Sequence, residues 1–487
     1  MAGMITEGLE PGKLWYYFEE ISQIPRASGN ERGILDYLLR FARERGIEHR
    51  EDGAGNIVMR RPVGEKYTGL PAVVIQSHVD MVCEKNASSI HNFNSDPIIL
   101  KRDGDWIRAD GTSLGADNGI GVAAMLAMLA DSDLEPYPME FLFTVEEEIG
   151  LNGAMELDTH MINGKMLLNL DTEEVGALYI GCAGGRDSDL FFPMNVETVK
   201  GDLSFLHMGV TGLRGGHSGA EIHLGGANAI KLLARVLNFV KRSVPIRIAS
   251  IRGGDKDNAI PREATAVIAV KEEERERVER LFADFTADLI DVIRDVEPEL
   301  HFHLEVQRES EALFDPLSST GLVDTLMVIP HGVLAMSRVM EDLVETSSNL
   351  SSIQTGPKEV RIHASHRSSV ENALSWVAEL HGSIAGLSGA RIEQDQGYPG
   401  WNPDPSSKLL AYAREGVQRV LGQQSAVRAI HAGLECGVIK DRFQGMDAIS
   451  LGPTIRGAHS PDERVHIDSV SSFWKILIET LRLINSR

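Results

Sequence analysis

The 487-residue sequence predicts an α/β domain, a sheet between helices, built from both ends of the chain and interrupted by an inserted α+β segment. Three observations predict it. Strand and helix signals alternate near both ends. The middle runs strand, helix, strand, strand, helix, strand. The five places that put His, Asp or Glu just beyond predicted strands lie in the two ends.

Residues 14–21 read as a helix, and Ser28-Gly29-Asn30-Glu31 reads as the cap opening a second helix to about Arg45. The apolar run 72–76 has the length of a buried strand, 119–130 is a helix of small residues, and 139–145 and 166–170 are apolar strands. In the middle, 203–212 is a strand, 227–242 a helix, 247–252 and 264–270 strands, 272–296 a charged amphipathic helix, and 301–307 a strand. That order is the split βαβ module. A weaker set follows: helix 322–328, strands 333–337, 349–354 and 359–365, helix 370–387 and strand 391–394. Two half-modules in tandem are therefore expected. From about Ser406 the α/β pattern resumes with helix 409–421, strands 426–431 and 448–451, and a closing helix 468–484. The expected division is 1–185 with 397–487 as one domain and 186–396 as the insertion.

Composition narrows the function classes. Lys and Arg number 48 against 71 Asp and Glu, a net charge of −23. Nucleic acid needs a basic face, so it is not an expected partner. The acidity suits a chain that gathers divalent cations, although a soluble, self-repelling surface explains most of it. Cys83, Cys182 and Cys436 are odd in number and far apart; they form no disulfide framework and fit a reducing cytosol as buried thiols without a role. The apolar run 122–130 is too short to cross a bilayer, and residues 1–10 lack the pattern of a signal peptide. A cytoplasmic protein with no membrane partner is expected.

Five short segments carry candidate chemistry. His78-Val79-Asp80 follows the strand 72–76; an imidazole is a good zinc ligand, and a carboxylate two residues on can hold its second nitrogen. Gly115-Ala116-Asp117-Asn118-Gly119 opens the small-residue helix as a constrained turn around an acid. Glu146-Glu147-Glu148-Ile149-Gly150 places three carboxylates directly after a buried strand, where they repel one another unless cations sit among them. Asp171 follows the strand 166–170, and His459 lies in Gly457-Ala458-His459-Ser460-Pro461-Asp462-Glu463. Alone, each admits a plain structural reading: a packed histidine, a helix cap, a solvated acidic loop. Together they offer imidazole and carboxylate without thiolate, a donor set suited to zinc or cobalt. No HExxH helix, P-loop, GxSxG elbow or dinucleotide fingerprint is present.

The segments SHVDMVCEKN (77–86), DGTSLGADNGIG (110–121), LFTVEEEIGLNGA (142–154), NLDTEE (169–174), GLRGGHSG (212–219), HAGLECG (431–437) and GPTIRGAHSPDE (452–463) resemble the M20 di-zinc metallopeptidase family, which includes bacterial dipeptidases and aminoacylases. The resemblance spans nearly the whole chain in the family's order. It implies a zinc-exopeptidase-like catalytic domain with an inserted lid, and two divalent ions per chain, zinc first, with cobalt or manganese as alternatives. It implies that Asp117 bridges both ions, that His78 and Asp171 complete one site, and that Glu148 and His459 complete the other. Asp80 would orient His78, and Glu147 would be the general base. His217 would donate to the oxyanion, and Asn258 and Arg367 would grip the substrate's carboxylate end. The family also implies a cis peptide after Asp117 and a homodimer formed through the lid. The implied reaction is hydrolysis of small peptides, dipeptides of the Xaa-His kind including β-alanyl-histidine, with broad specificity. Alternatives within the resemblance are an N-acyl-amino-acid or tripeptide hydrolase, or a non-catalytic zinc- or peptide-binding relative.

Overall fold

The computed structural model describes residues 5–197, 202–307 and 313–486; residues 1–4, part of the amino-terminal stretch 1–10 read above, lie outside them. The chain divides into two compact units. One is Met1–Cys182 with Trp401–Ala429 and Leu434–Arg487; the other is Ala183–Gly400 with Ile430–Gly433.

The first unit holds an eight-stranded sheet in the order Glu48–Glu51, Ile57–Arg60, Met139–Thr144, Val73–His78, Met166–Asn169, Asp447–Ser450, Ala177–Cys182 and Ala426–Ile430. At its centre Val73–His78 runs parallel to both Met139–Thr144 and Met166–Asn169, and Asp447–Ser450 runs parallel to Met166–Asn169. Every residue of Val73–His78 and Met139–Thr144 is buried, as parallel strands covered on both faces must be. The helix Ala116–Ala130 packs on Val73–His78 and on the helix Gly12–Ser22, which buries Leu14, Trp15, Phe18 and Ile21 at helical spacing. Asp117 and Asn118 depart from helical geometry, and the bond between them is cis. Lys408–Leu421 packs against Ile467–Asn485 and on Asp447–Ser450. A smaller sheet, Ile455–Arg456, Arg464–His466, Trp106–Ala109 and Leu100–Asp103, holds the loop 457–463 between its first two strands.

One expectation is corrected in this unit. Ser28 does not cap the helix Arg32–Glu44; its hydroxyl donates to Asp80 Oδ2 at 2.8 Å, and the residue before that helix, Glu31, makes no side-chain cap. A capping serine accepts backbone N–H groups through its oxygen, but Ser28 stands three residues before the cap position Glu31, and it is its proton that is used, donated to a carboxylate. The hairpin Glu48–Glu51 and Ile57–Arg60 was not read from sequence, because the outer strand is polar and largely exposed and shows no alternation.

The second unit is built on a nine-stranded sheet. Its path runs His301–Gln307, Leu203–Thr211, Ala264–Lys271, Arg247–Gly253, Val344–Thr355, Glu359–Ser368, Gly184–Pro193 and Arg391–Gln394, with Gly332–Met336 branching from Val344–Thr355. The strands of the two halves pair at Arg252 with Gln354 and at Gly253 with Ile353. Helices Ala229–Lys241, Arg275–Ile293, Pro316–Val328 and Glu371–Ser388 supply the apolar side chains that fill the core with Leu206, Ile268, Leu350 and Ile362. The helix expected at 322–328 begins at Pro316, because Asp315 caps the Ser318 N–H and proline suits a first helical turn. The strand Gly184–Pro193 was also missed; it opens with Gly, Arg, Asp and Ser, and its apolar residues are confined to Leu190, Phe191 and Phe192.

The close approach of Ala116–Ala130 to the central strand depends on Gly121, where a Cβ would lie 2.1 Å from Ser77 Oγ and 2.2 Å from Asn118 Oδ1. Gly121→Ala should therefore lower stability by about 1–3 kcal/mol, the usual range for overpacking. Urea unfolding measures it, and an unchanged midpoint would show that the helix shifts without cost.

Candidate functional site

The carboxyl ends of the central parallel strands carry the first cluster. His78 ends Val73–His78 and is buried. Its Nε2 lies 3.2 Å from Asp117 Oδ1 and 3.3 Å from Asp171 Oδ1. Its Nδ1 is 3.3 Å from Asp80 Oδ1, an ion-pair distance without hydrogen-bond alignment. His459 Nε2 lies 3.2 Å from the other oxygen of Asp117 and 3.1 Å from Glu148 Oε2. Asp117 thus stands between two imidazoles with one carboxylate oxygen facing each. Asp171 accompanies the first imidazole and Glu148 the second.

Asp80 is wholly buried and accepts hydrogen bonds from Ser28 Oγ and from the backbone N–H groups of Glu147 (3.1 Å) and Glu148 (3.2 Å). The same carboxylate that faces His78 therefore also fixes the acidic turn. Glu147 sits in that turn, half-buried, beside Glu148.

The electrostatics of this pocket call for positive charge. Burial raises the Glu147 carboxyl well above its usual range, and the charges of Asp171, Glu148 and Glu435 add to the effect. Burial and Asp117 likewise raise Asp171, against the pull of His78. Hydrogen bonds to Asp117 and Glu148 push His459 up to about 11. Burial alone would depress His78, but Asp171, Asp117 and Asp80 override it and hold it well above normal. Glu148 Oε1 is buried with no hydrogen-bond partner. A donor set of imidazoles and carboxylates, one orphaned carboxylate oxygen and a surplus of anions fit a divalent cation, and His78, Asp117 and Glu148 can present one ligand atom each to a single ion.

Several supporting residues escaped the sequence reading. Glu463 is buried and accepts four backbone N–H groups, those of Leu114 (2.6 Å), Gly115 (2.8 Å), Ala116 (2.8 Å) and Asp117 (3.2 Å). It lies four residues after His459, so one loop supplies an imidazole and also pins the turn that carries Asp117. Buried Arg26 donates to the carbonyls of Val79 (3.0 Å), Asp80 (3.1 Å) and Gly115, tying that turn to the segment after His78. Gly115 has φ 69°, and a Cβ there would meet Arg26 Nη2 at 2.5 Å and Met81 Sδ at 2.7 Å. Asn118 donates to Asp171 Oδ1 at 2.7 Å and accepts from Ser77 Oγ at 3.1 Å. Glu463 closes the motif already singled out for His459; Arg26 lies between helices with no pattern to mark it.

The second unit gathers the other candidates. His217 Nδ1 accepts from the N–H groups of Gly219 (3.1 Å) and Ala220 (3.0 Å), which leaves the proton of the neutral ring on Nε2. Burial, then Arg367, lowers its pKa. A Cβ on Gly219 would meet His431 O at 2.4 Å, His217 Cε1 at 3.1 Å and Arg367 Nε at 3.2 Å, so these three residues converge there. Asn258 joins through its carbonyl, which accepts from Ser218 N–H at 2.8 Å, while its side chain is exposed. Arg367 Nη1 donates to Tyr398 Oη at 3.1 Å, and its Nε is buried without a partner. His431 Nε2 pairs with Ser347 Oγ at 2.7 Å, its Nδ1 is orphaned, and burial with Arg367 pushes it down to about 3. His431, Tyr398 and Ser347 were not named from sequence.

Residues 74–483 match Peptidase family M20/M25/M40. The chain is 38% identical over 479 residues, 98% of its length and 99% of the relative's, to the cytosol non-specific dipeptidase of Escherichia coli strain K12. The crystal structure of aminoacylhistidine dipeptidase from Vibrio alginolyticus superposes with a TM-score of 0.90 at 37% identity, covering 99% of this chain and 98% of that one. A tripeptidase from Staphylococcus aureus, at 18% identity and a TM-score of 0.56 over the full length of both chains, shares the fold.

Removing the Glu463 carboxylate should release the Asp117 turn. Each buried N–H left without a partner costs about 1–3 kcal/mol. Glu463→Ala is therefore expected to lose at least about 2 kcal/mol in urea unfolding, and Glu463→Gln, which keeps an acceptor oxygen, clearly less. Equal losses for the two would show that the four backbone contacts do not depend on an acceptor there.

Proposed function

The chain belongs to peptidase family M20/M25/M40 and is a peptide-bond hydrolase, and we propose that it is a dipeptidase working with two divalent ions, zinc first. The observation that carries the reading is Asp117, whose two oxygens face two imidazoles at 3.2 Å each. His78 and Asp171 would hold one ion, Glu148 and His459 the other, and Asp117 would belong to both. When bound, the ions would lower the pKa of water and offset charge developing on the scissile carbonyl.

The chain's own groups do the rest. Asp80 faces His78 Nδ1, which favours a proton there and leaves Nε2 free as a ligand. Glu147, adjacent to the ligand Glu148 but not needed as one, accepts the proton of the attacking water at its carboxylate and passes it to the departing amine. Its raised proton affinity suits a group that must both take and give a proton near neutral pH. His217 offers an Nε2 proton to the tetrahedral oxyanion. Arg367, with a buried and unpartnered Nε, offers a guanidinium to the substrate's carboxylate end beside the Asn258 loop. The names of the relatives, a non-specific dipeptidase and an aminoacylhistidine dipeptidase, support Xaa-His dipeptides, β-alanyl-histidine among them, with broad tolerance.

We infer a cytoplasmic homodimer. Cys83, Cys182 and Cys436 are free thiols, and among the described residues no helix is long and apolar enough to cross a membrane. His301–Gln307 is an edge strand of the nine-stranded sheet, which leaves a row of backbone groups for a second copy.

Glu147→Gln should keep both metals and the fold while losing about 10²–10⁴-fold or more in turnover, because glutamine cannot accept the proton. Glu148→Gln should lose metal as well as rate. Zinc per chain, measured beside turnover on a dipeptide, a tripeptide and an N-acyl amino acid, tests both assignments. Near-normal turnover in Glu147→Gln, or metal loss there but not in Glu148→Gln, would reverse them.

Chelation should abolish dipeptide hydrolysis and zinc should restore it. A chelated, metal-free protein that still turns over would sink the reading.

A further inference from the structure

Glu435 is fully buried and has no place in the mechanism above. It begins the helix Glu435–Arg442, and its Oε2 accepts from Thr144 Oγ1 at 2.9 Å and from Gln76 Nε2. Gln76 Nε2 also reaches Thr144 Oγ1 at 3.0 Å, and Gln76 Oε1 accepts from Asn169 Nδ2 at 2.7 Å. Asn169 Oδ1 in turn accepts from the Asp171 N–H at 3.3 Å. An unbroken run of hydrogen bonds therefore leads from Glu435 to the backbone of Asp171.

The register gives that run its meaning. Gln76 lies directly opposite Asn169 on one neighbouring strand, and His78 lies opposite Thr144 on the other. Residues two apart on a strand, and partners directly opposite, share a face of the sheet. Gln76, His78, Thr144 and Asn169 therefore share one face, where the three strands that lead to His78, Glu147 and Asp171 finish. With its oxygen committed to Asn169, the Gln76 amide must find acceptors for its two protons, and Glu435 is one of them.

We propose that Glu435 is a positioning residue: its carboxyl, fixed at the head of Glu435–Arg442, holds Gln76 and Thr144 and through them sets the spacing of His78 and Asp171. Burial, chiefly, pushes its pKa up to about 8, and its Oε1 is buried without a partner, while its Oε2 is the atom that accepts from both Gln76 and Thr144. The proposal rests on the metal-ligand assignment made above.

The test compares Glu435→Leu, which removes the acceptor, with Glu435→Gln, which keeps one and carries no charge. Zinc affinity is measured by chelator competition on folded protein, together with kcat and KM on a dipeptide. Glu435→Leu should weaken one of the two bound zinc ions about tenfold or more, the usual cost of losing support behind a ligand, and lower kcat with little change in KM. Glu435→Gln should recover most of both. Gln76→Leu should reproduce the loss, and the double variant should lose no more than either single one. Thr144→Val, which keeps shape and removes only the hydroxyl, should weaken the same ion in part, and it decides the matter if Glu435→Leu does not fold. Unchanged zinc affinity in the leucine and valine variants, equal losses for leucine and glutamine, or losses that multiply in the double variant would each overturn the proposal. A wild-type protein that binds no zinc would instead sink the ligand assignment itself.

Discussion

Like charges crowded out of water are the constraint on which the first unit is built. Asp80, Asp117, Glu147, Glu148, Asp171, Glu435 and Glu463 are all buried or half-buried around the ends of three strands. In a medium of low dielectric such a gathering is strongly unfavourable unless each charge is met or removed. The structure meets them by different means. Glu463 takes four backbone protons, Asp80 takes a hydroxyl and two backbone protons, and Glu435 is pushed towards its neutral form. Asp117 is flanked by two imidazoles. Burial raises the proton affinity of Glu147 and Asp171, and with Glu148 they form an acidic group that divalent ions would offset.

Much of this was legible in the sequence, and the parts that were not share a cause. Buried parallel strands are apolar runs, so 72–76, 139–145 and 166–170 announced themselves, and the residues just beyond them named His78, Glu147, Glu148 and Asp171. Asp117 and His459 were found by motif rather than by pattern. Arg26 could not be read, because its partners are backbone carbonyls at positions 79, 80 and 115, and nothing local betrays an interaction with the main chain. Ser28 was misread because a local cap is the expected use of a serine, whereas the helix starts later, at Arg32, and the hydroxyl donates to Asp80, 52 residues on. Polar strands such as Gly184–Pro193 were missed because hydrophobic periodicity is the main signal available to a reader of sequence.

The second unit uses a different logic. Around Gly219 it collects one guanidinium, two imidazoles lowered by burial and by that guanidinium, and several polar atoms without protein partners. The guanidinium helps keep both rings neutral and is the cationic group of the cluster. Ser218 Oγ and Asn349 Oδ1 are also buried and unpartnered. Orphaned polar atoms are costly in a folded chain, and several in one place are a stronger sign of a binding function than any one of the residues alone.

The four contacts of Glu463 span 346 to 349 positions of the chain. A ribosome adds about 5–20 residues each second. The turn carrying Asp117 therefore leaves the ribosome roughly 17–70 s before the carboxylate that holds it has been made. Until then its amides are hydrated, His459 does not yet exist, and the acids nearby have neither of their distant partners. Assembly of this pocket is in this sense a late event of translation: a nascent chain that stops short of His459 carries His78, Asp117, Glu148 and Asp171 but lacks the carboxylate that holds the Asp117 turn.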